Sequence, residues 1–224
     1  LAASRAAGRV PYVIDGTLLA LQDELDAGRP VVVLQNLGVT AIPKWHYAVV
    51  VGIDSERGQI VMRSGTDQRR ITRIQTFLRT WRRGDYWAFV VLRPDEPPAG
   101  VDRRRYLQAV ADMEKAGRES DAATAWQTAL TTWPGDPVAL FGLGNAQLAT
   151  GDYVAAEEHF RAMLEQDPGS IAARNNLAIA LARQSRFADA RSEIAVALDN
   201  NDDPMLEEEL QDTAALIEDL RAQE

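Results

Sequence analysis

Apolar and polar positions follow two different periods along these 224 residues. Up to about residue 93 the apolar runs are short and rich in Val and Ile: "PVVVLQNL" (30–37), "HYAVVVGID" (46–54), "QIVMRSG" (59–65), "RRITRI" (69–74) and "YWAFVVL" (86–92). β-Branched runs bounded by Gly, Asp and Pro predict strands. "DSERG" (54–58) has the length and glycine of a hairpin connection. Two stretches change to helical spacing. In 17–28, Leu18, Leu19, Leu21 and Leu25 share a face ahead of a stop at Gly28; in 74–84, Phe77 and Trp81 share one. An antiparallel sheet with one or two covering helices follows, an α+β layout, with Trp81 and Trp87 expected in its core.

Beyond "RPDEPPAG" the helical period takes over. Units of 34 residues begin at Arg103, Pro137 and Ile171. Position 20 of each is Ala122, Ala156 and Ala190; position 24 is Trp126, Phe160 and Ile194; position 27 is Ala129, Met163 and Ala197. Position 32 is Pro134, Pro168 and then Asp202. Each unit carries two amphipathic stretches, split in the middle unit by Gly151–Asp152. One such hairpin cannot bury its apolar face alone, so the units must stack. After Pro204, apolar residues at 206, 210, 214, 217 and 220 predict one more helix that closes the stack.

This pattern resembles the tetratricopeptide repeat, which implies an all-α solenoid binding a peptide or protein in the groove of its first helices. The groove positions implied in the middle unit are Val138, Phe141, Asn145 and Leu148, and in the third Ala172, Asn175, Ile179 and Ala182. Asn145 and Asn175 are the favoured contacts, since an amide can both donate to and accept from a peptide backbone. The plainer reading is two solvated polar side chains. No Lys or Arg clamp stands at these positions, which argues against capture of a C-terminal carboxylate.

Charge divides the chain in the same place. Residues 1–100 hold 13 Lys+Arg against 10 Asp+Glu, whereas 101–224 hold 11 against 23, so +3 faces -12 within a net -9. The acidic half argues against a nucleic-acid partner. No apolar run approaches the roughly 20 residues of a membrane span. There is no cysteine, hence no thiolate metal site, disulfide or cysteine nucleophile among these residues, and neither metal nor cofactor is expected. The "LAASRAAGRVPYVIDG" start lacks the apolar core of a signal peptide and an initiating Met, so Leu1 reads as an internal residue.

Only two histidines are present, and His46 opens the strand "HYAVVVGID". From the residues alone it is a general base or a satisfied residue at a strand rim. The order of helix, "AGRPVVVLQNLG", loop, "HYAVVVGID" and "GQIVMRSG" resembles the second half of the C39-like, papain-related cysteine peptidases over roughly residues 15–93. That resemblance implies a partial papain-like sheet, His46 as general base, and an orienting acid near the end of the next strand. Ser64 stands at that place, a weaker acceptor that cannot stabilise an imidazolium by charge. The family's Cys and oxyanion-hole Gln belong upstream of the 17–28 helix, and without a thiol no acyl-enzyme forms. Asp54 and Asp67 are the other carboxylates considered. The resemblance also implies an exported, envelope-associated bacterial protein. The expected organisation is a partial peptidase-like domain (1–97), a linker (98–102), three repeats (103–204) and a capping helix (205–224). Its function is peptide cleavage with an outside thiol or, alternatively, non-catalytic protein binding.

Overall fold

The computed structural model describes residues 1–39, 41–100 and 102–223, so Val101 of the expected linker and Glu224 of the expected cap lie outside the described residues. The chain forms two compact units, Leu1–Ala109 and Val110–Glu224.

The first unit contains α1 (Ala2–Ala6), β1 (Val10–Val13), α2 (Leu18–Asp26), β2 (Val31–Asn36), β3 (Trp45–Asp54), β4 (Gln59–Ser64), β5 (Asp67–Arg73), α3 (Ile74–Arg82) and β6 (Ala88–Leu92). The strands make one sheet in the order β1-β6-β2-β3-β4-β5, with every neighbouring pair antiparallel. All five expected strands and both expected helices are present. β1 was not marked by the pattern, because "VPYV" carries a proline; it lies at the sheet edge, where a missing N–H costs little.

One face of the sheet is fully packed. Val31 and Val33 of β2, Ala48 and Val50 of β3, and Ala88, Val90 and Leu92 of β6 are buried, as are Leu21 of α2 and Phe77 and Trp81 of α3. Thr17 caps α2 by accepting from Ala20 N at 3.1 Å, and Gly28 follows its end at φ 77°. Trp81 is the expected core aromatic, its indole donating to Trp87 O at 3.0 Å. Trp87 is not: it is half-buried and points, by alternation from buried Ala88, to the opposite face.

Buried Glu24 fastens the end of this unit. It pairs with Arg29 at 2.5 Å and accepts from Ala99 N at 2.9 Å. Tyr12 Oη donates to Gly100 O at 2.9 Å and accepts from Asp102 N at 3.1 Å, so the residues after β6 are bonded to α2 and β1.

The repeats comprise α4 (Arg103–Glu114), α5 (Glu119–Thr132), α6 (Pro137–Thr150), α7 (Tyr153–Gln166), α8 (Ile171–Arg183), α9 (Phe187–Asp199) and α10 (Glu207–Ala222). α4, α6 and α8 begin at 103, 137 and 171, and α5, α7 and α9 at 119, 153 and 187, so both helices of the unit repeat every 34 residues. Asp136, Asp152 and Ser170 accept from Ala139 N, Ala155 N and Ala173 N, capping α6, α7 and α8. Gly151 ends α6 at φ 85°. Small residues set the packing distance: a Cβ on Gly144 would stand 2.7 Å from the Phe160 ring, and one on Gly142 would overlap Trp126. Leu210 and Ile217 of α10 are buried on the end of the stack.

Candidate functional site

Two places hold the residues singled out in the sequence. The first is a groove on the repeats, a cavity of about 490 Å³ lined by Asn145, Leu148 and Ala149 of α6, Tyr153 at the start of α7, and Asn176, Ile179 and Arg183 of α8. Helical spacing explains the set. Asn145, Leu148 and Ala149 are three and four residues apart, as are Asn176, Ile179 and Arg183, so each trio forms a stripe on its helix. The two stripes are joined by Asn176 Nδ2 donating to Asn145 Oδ1 at 2.8 Å.

Asn145, Leu148 and Ile179 thus share one cavity. Val138 is half exposed and does not line it. Phe141 turns inward, its ring 6.0 Å from that of Phe160. Asn175 departs from the groove altogether: it is 1% exposed, and its Nδ2 donates to Glu209 Oε1 of α10 and to Asn176 Oδ1, both at 3.2 Å. The reason is rotational. One residue on a helix turns the side chain by about 100°, which moves Asn175 under the capping helix and leaves Asn176 facing α6. Ala182 is buried as well.

The hydrogen bonds polarise the groove. Glu209 accepts from Asn175, Asn175 donates to Asn176, and Asn176 donates to Asn145. Asn145 Oδ1 accepts one of these bonds, and its Nδ2 is a donor with no protein acceptor among the described residues. Arg183, exposed at the groove's end, has no carboxylate partner among them either. Arg183, Tyr153 and Asn176 escaped the sequence reading because it placed the groove on the second, fifth, ninth and twelfth residues of each 34-residue unit, which in the middle unit are Val138, Phe141, Asn145 and Leu148. Arg183 is position 13, so a cation does stand at the groove.

The second place is the start of β3. His46 lies opposite Gln35 across β2 and β3, and Ala48 lies opposite Ser64 across β3 and β4, so the three polar side chains fall on the packed face. A hydrogen bond of 2.7 Å joins His46 Nε2 to Ser64 Oγ. His46 is half-buried and Ser64 is buried. Gln35 Nε2 donates to Thr80 Oγ1 at 2.7 Å, and Thr80 donates to Phe77 O at 2.8 Å. No carboxylate bonds the imidazole among the described residues. Asp54 pairs with Arg57 at the far end of β3, which also holds the Asp54 carboxyl below its ordinary range. Asp67 is exposed on β5. The other histidine, His159, bonds Ala155 O within α7. No cluster of metal-ligating side chains occurs among the described residues.

Known proteins bear on one half of the chain. Tetratricopeptide repeat family models match residues 114–171 and 147–217. The second half therefore carries tetratricopeptide repeats; neither match reaches the sheet. No curated protein matches the chain. Solved structures that match include two of the Yersinia enterocolitica type III secretion translocator chaperone SycD, one of them an alternative dimer. Each is 18% identical with a TM-score of 0.49 and covers 54% of this chain; 83% and 92% of the chaperone chains are covered.

Proposed function

We propose that this chain is a non-catalytic binding scaffold whose repeats hold an extended peptide segment of a partner protein between α6 and α8. The observation that carries this reading is a set of unused donors beside apolar surface in one groove. Asn145 Nδ2 and the Arg183 guanidinium offer hydrogens, the Tyr153 hydroxyl can donate or accept, and Leu148, Ile179 and the Tyr153 ring supply apolar surface. A ligand matched to it presents acceptors, meaning backbone carbonyls and a carboxylate near Arg183, with apolar side chains between them. The repeats' family also supports protein partners. An array of 10-residue peptides varied in charge and apolar content tests it. Peptides with a carboxylate one or two residues from an aliphatic side chain bind best, and Asn145→Ala with Arg183→Ala weakens them tenfold or more at an unchanged melting temperature. Binding indifferent to both substitutions overturns the reading.

A second reading rests on the His46–Ser64 hydrogen bond. By resemblance to the C39-like peptidases, His46 would be a general base held by Ser64, acting on a thiol from outside these 224 residues. Labelling of the full gene product by a thiol-directed peptide probe would then fall on His46→Ala; unchanged labelling removes the assignment.

A further inference from the structure

The sheet has a second face that is covered near β1 and β6, where Pro11 and Phe89 are buried, and open over β3 and β5. Strand alternation sends Trp45, Tyr47, Val51, Ile71 and Val91 outward, where they are 56%, 60%, 38%, 48% and 42% exposed. The Tyr47 and Trp87 rings meet edge to face at 6.0 Å, and the buried Phe89 ring backs Trp87 at 5.1 Å. A contiguous apolar surface of this kind marks an interaction site.

Arginines line it at the β4–β5 side. Arg63 lies opposite outward-facing Val49, and Arg69 and Arg73 flank Ile71 on edge strand β5, two residues to either side. All three are exposed, and no carboxylate pairs with them among the described residues. The acids of the unit are engaged by other arginines: Asp54, in the same cross-strand row as Arg73, holds Arg57, and Glu24 holds Arg29. The face is therefore an apolar strip with an unneutralised basic margin.

We infer that this face docks an amphipathic helix of a partner protein, with its apolar stripe on the Trp45–Tyr47–Trp87 row and carboxylates along the flank that meets Arg63, Arg69 and Arg73. Charge complementarity chooses this occupant over a second copy placed sheet to sheet, which brings no acidic margin to the arginines. Dimensions agree. Trp45 to Val51 spans about 20 Å of strand, matched by about 13 helical residues at ~1.5 Å each. A helix on a sheet is also the packing already used by the opposite face, where Gln35 meets Thr80 of α3. The site is independent of the repeat groove.

Two 14-residue helical peptides with the same leucine stripe, one flanked by glutamates and one by lysines, are titrated against the full chain. The glutamate peptide binds at least tenfold tighter at low salt, and the margin shrinks as ionic strength rises, because the arginines are exposed. Arg63→Glu with Arg69→Glu reverses the preference. Trp45→Ser with Tyr47→Ser weakens binding tenfold or more, and Arg183→Ala leaves it unchanged, which separates this result from the fate of the groove. Circular dichroism confirms that the variants fold. Equal affinity for both peptides, binding to neither, or self-association of the free chain that Trp45→Ser abolishes each overturns the inference.

Discussion

In the repeats, six helices begin at two offsets of a single 34-residue step, and nearly every large apolar side chain on them finds a partner in the next helix. In the sheet, one face is sealed under α2 and α3 while the other leaves Trp45 and Tyr47 more than half exposed. The repeats gain stability unit by unit from near neighbours. The sheet gains it from a single inner layer joining strands far apart in sequence, since β1 pairs with β6 some 80 residues on. The proposed binding surfaces differ as well: a gap between stacked helices in one unit, and an open part of a sheet face in the other.

The sharpest way to break this contrast is to empty each core. Trp81→Ala and Phe160→Ala both remove a fully buried ring and should each cost about 3–5 kcal/mol. Their consequences should differ in reach. Hydrogen exchange should rise over β2, β3 and β6 together in Trp81→Ala. In Phe160→Ala it should rise in α6, α7 and α8 and leave the sheet protected. Loss of protection in both units from either substitution would make the two a single cooperative block.

Glu24 comes next. Its carboxylate is 1% exposed and Arg29 only 17%, so removing one partner of this buried pair should cost about 3 kcal/mol. The urea midpoint of Glu24→Ala should fall accordingly. Glu24→Gln, which can still accept from Ala99 N, should recover part of the loss.

Gly142 tests whether small residues set the repeat spacing. A methyl there overlaps the Trp126 indole. Gly142→Ala should therefore destabilise by about 1–3 kcal/mol, although alanine is the better helix former. A neutral or stabilising outcome in thermal unfolding would show that the helices can move apart freely.

Much of this was legible in the chain and some was not. Five of the six strands, the helices covering the sheet and the 34-residue phase followed from local periodicity, because the residues that decide them are neighbours in sequence. The line "HYAVVVGID" hid which face was covered, since an unbroken valine run looks the same whether one face or both are buried. Pro11 masked an edge strand. Asn175 and Asn176 are chemically identical, and only the arrival of α10 over one of them decides which reaches the groove. The burial of Glu24 depends on Ala99, 75 residues away, so no local pattern could reveal it. His46 and Ser64 were named from a family resemblance and are hydrogen-bonded, yet that bond alone assigns no chemistry.

A smaller effect separates the units by pH. Burial pushes the Glu157 carboxyl up, but hydrogen bonds from Arg161, Gln184 and Arg186 outweigh it and hold the carboxyl below the ordinary 4.5. The folded value lies under the unfolded one, so the contribution is complete above about 4.5 and is lost as pH falls through the folded value. Both arginines are more than a third exposed, so screening limits it to below about 1 kcal/mol. Glu157→Gln should lower the melting temperature at pH 7, and the deficit should shrink as pH falls below 4.5. An equal deficit above and below that pH would mean that packing, not charge, is at stake.

The smallest expected effect is the most telling for the sheet. Tyr47 is 60% exposed, and its side chain seals no layer of its own unit. Tyr47→Thr keeps a residue that favours strands and removes the ring, so stability should change by no more than about 0.5 kcal/mol. Val33→Ala, on the neighbouring strand but the packed face and fully buried, should cost two to three times that or more. Thermal unfolding of the pair measures the difference between the faces directly. If Tyr47→Thr proved as costly as Val33→Ala, the aromatic row would be a second core of the sheet, and a surface needed for folding could not also be held open for a partner.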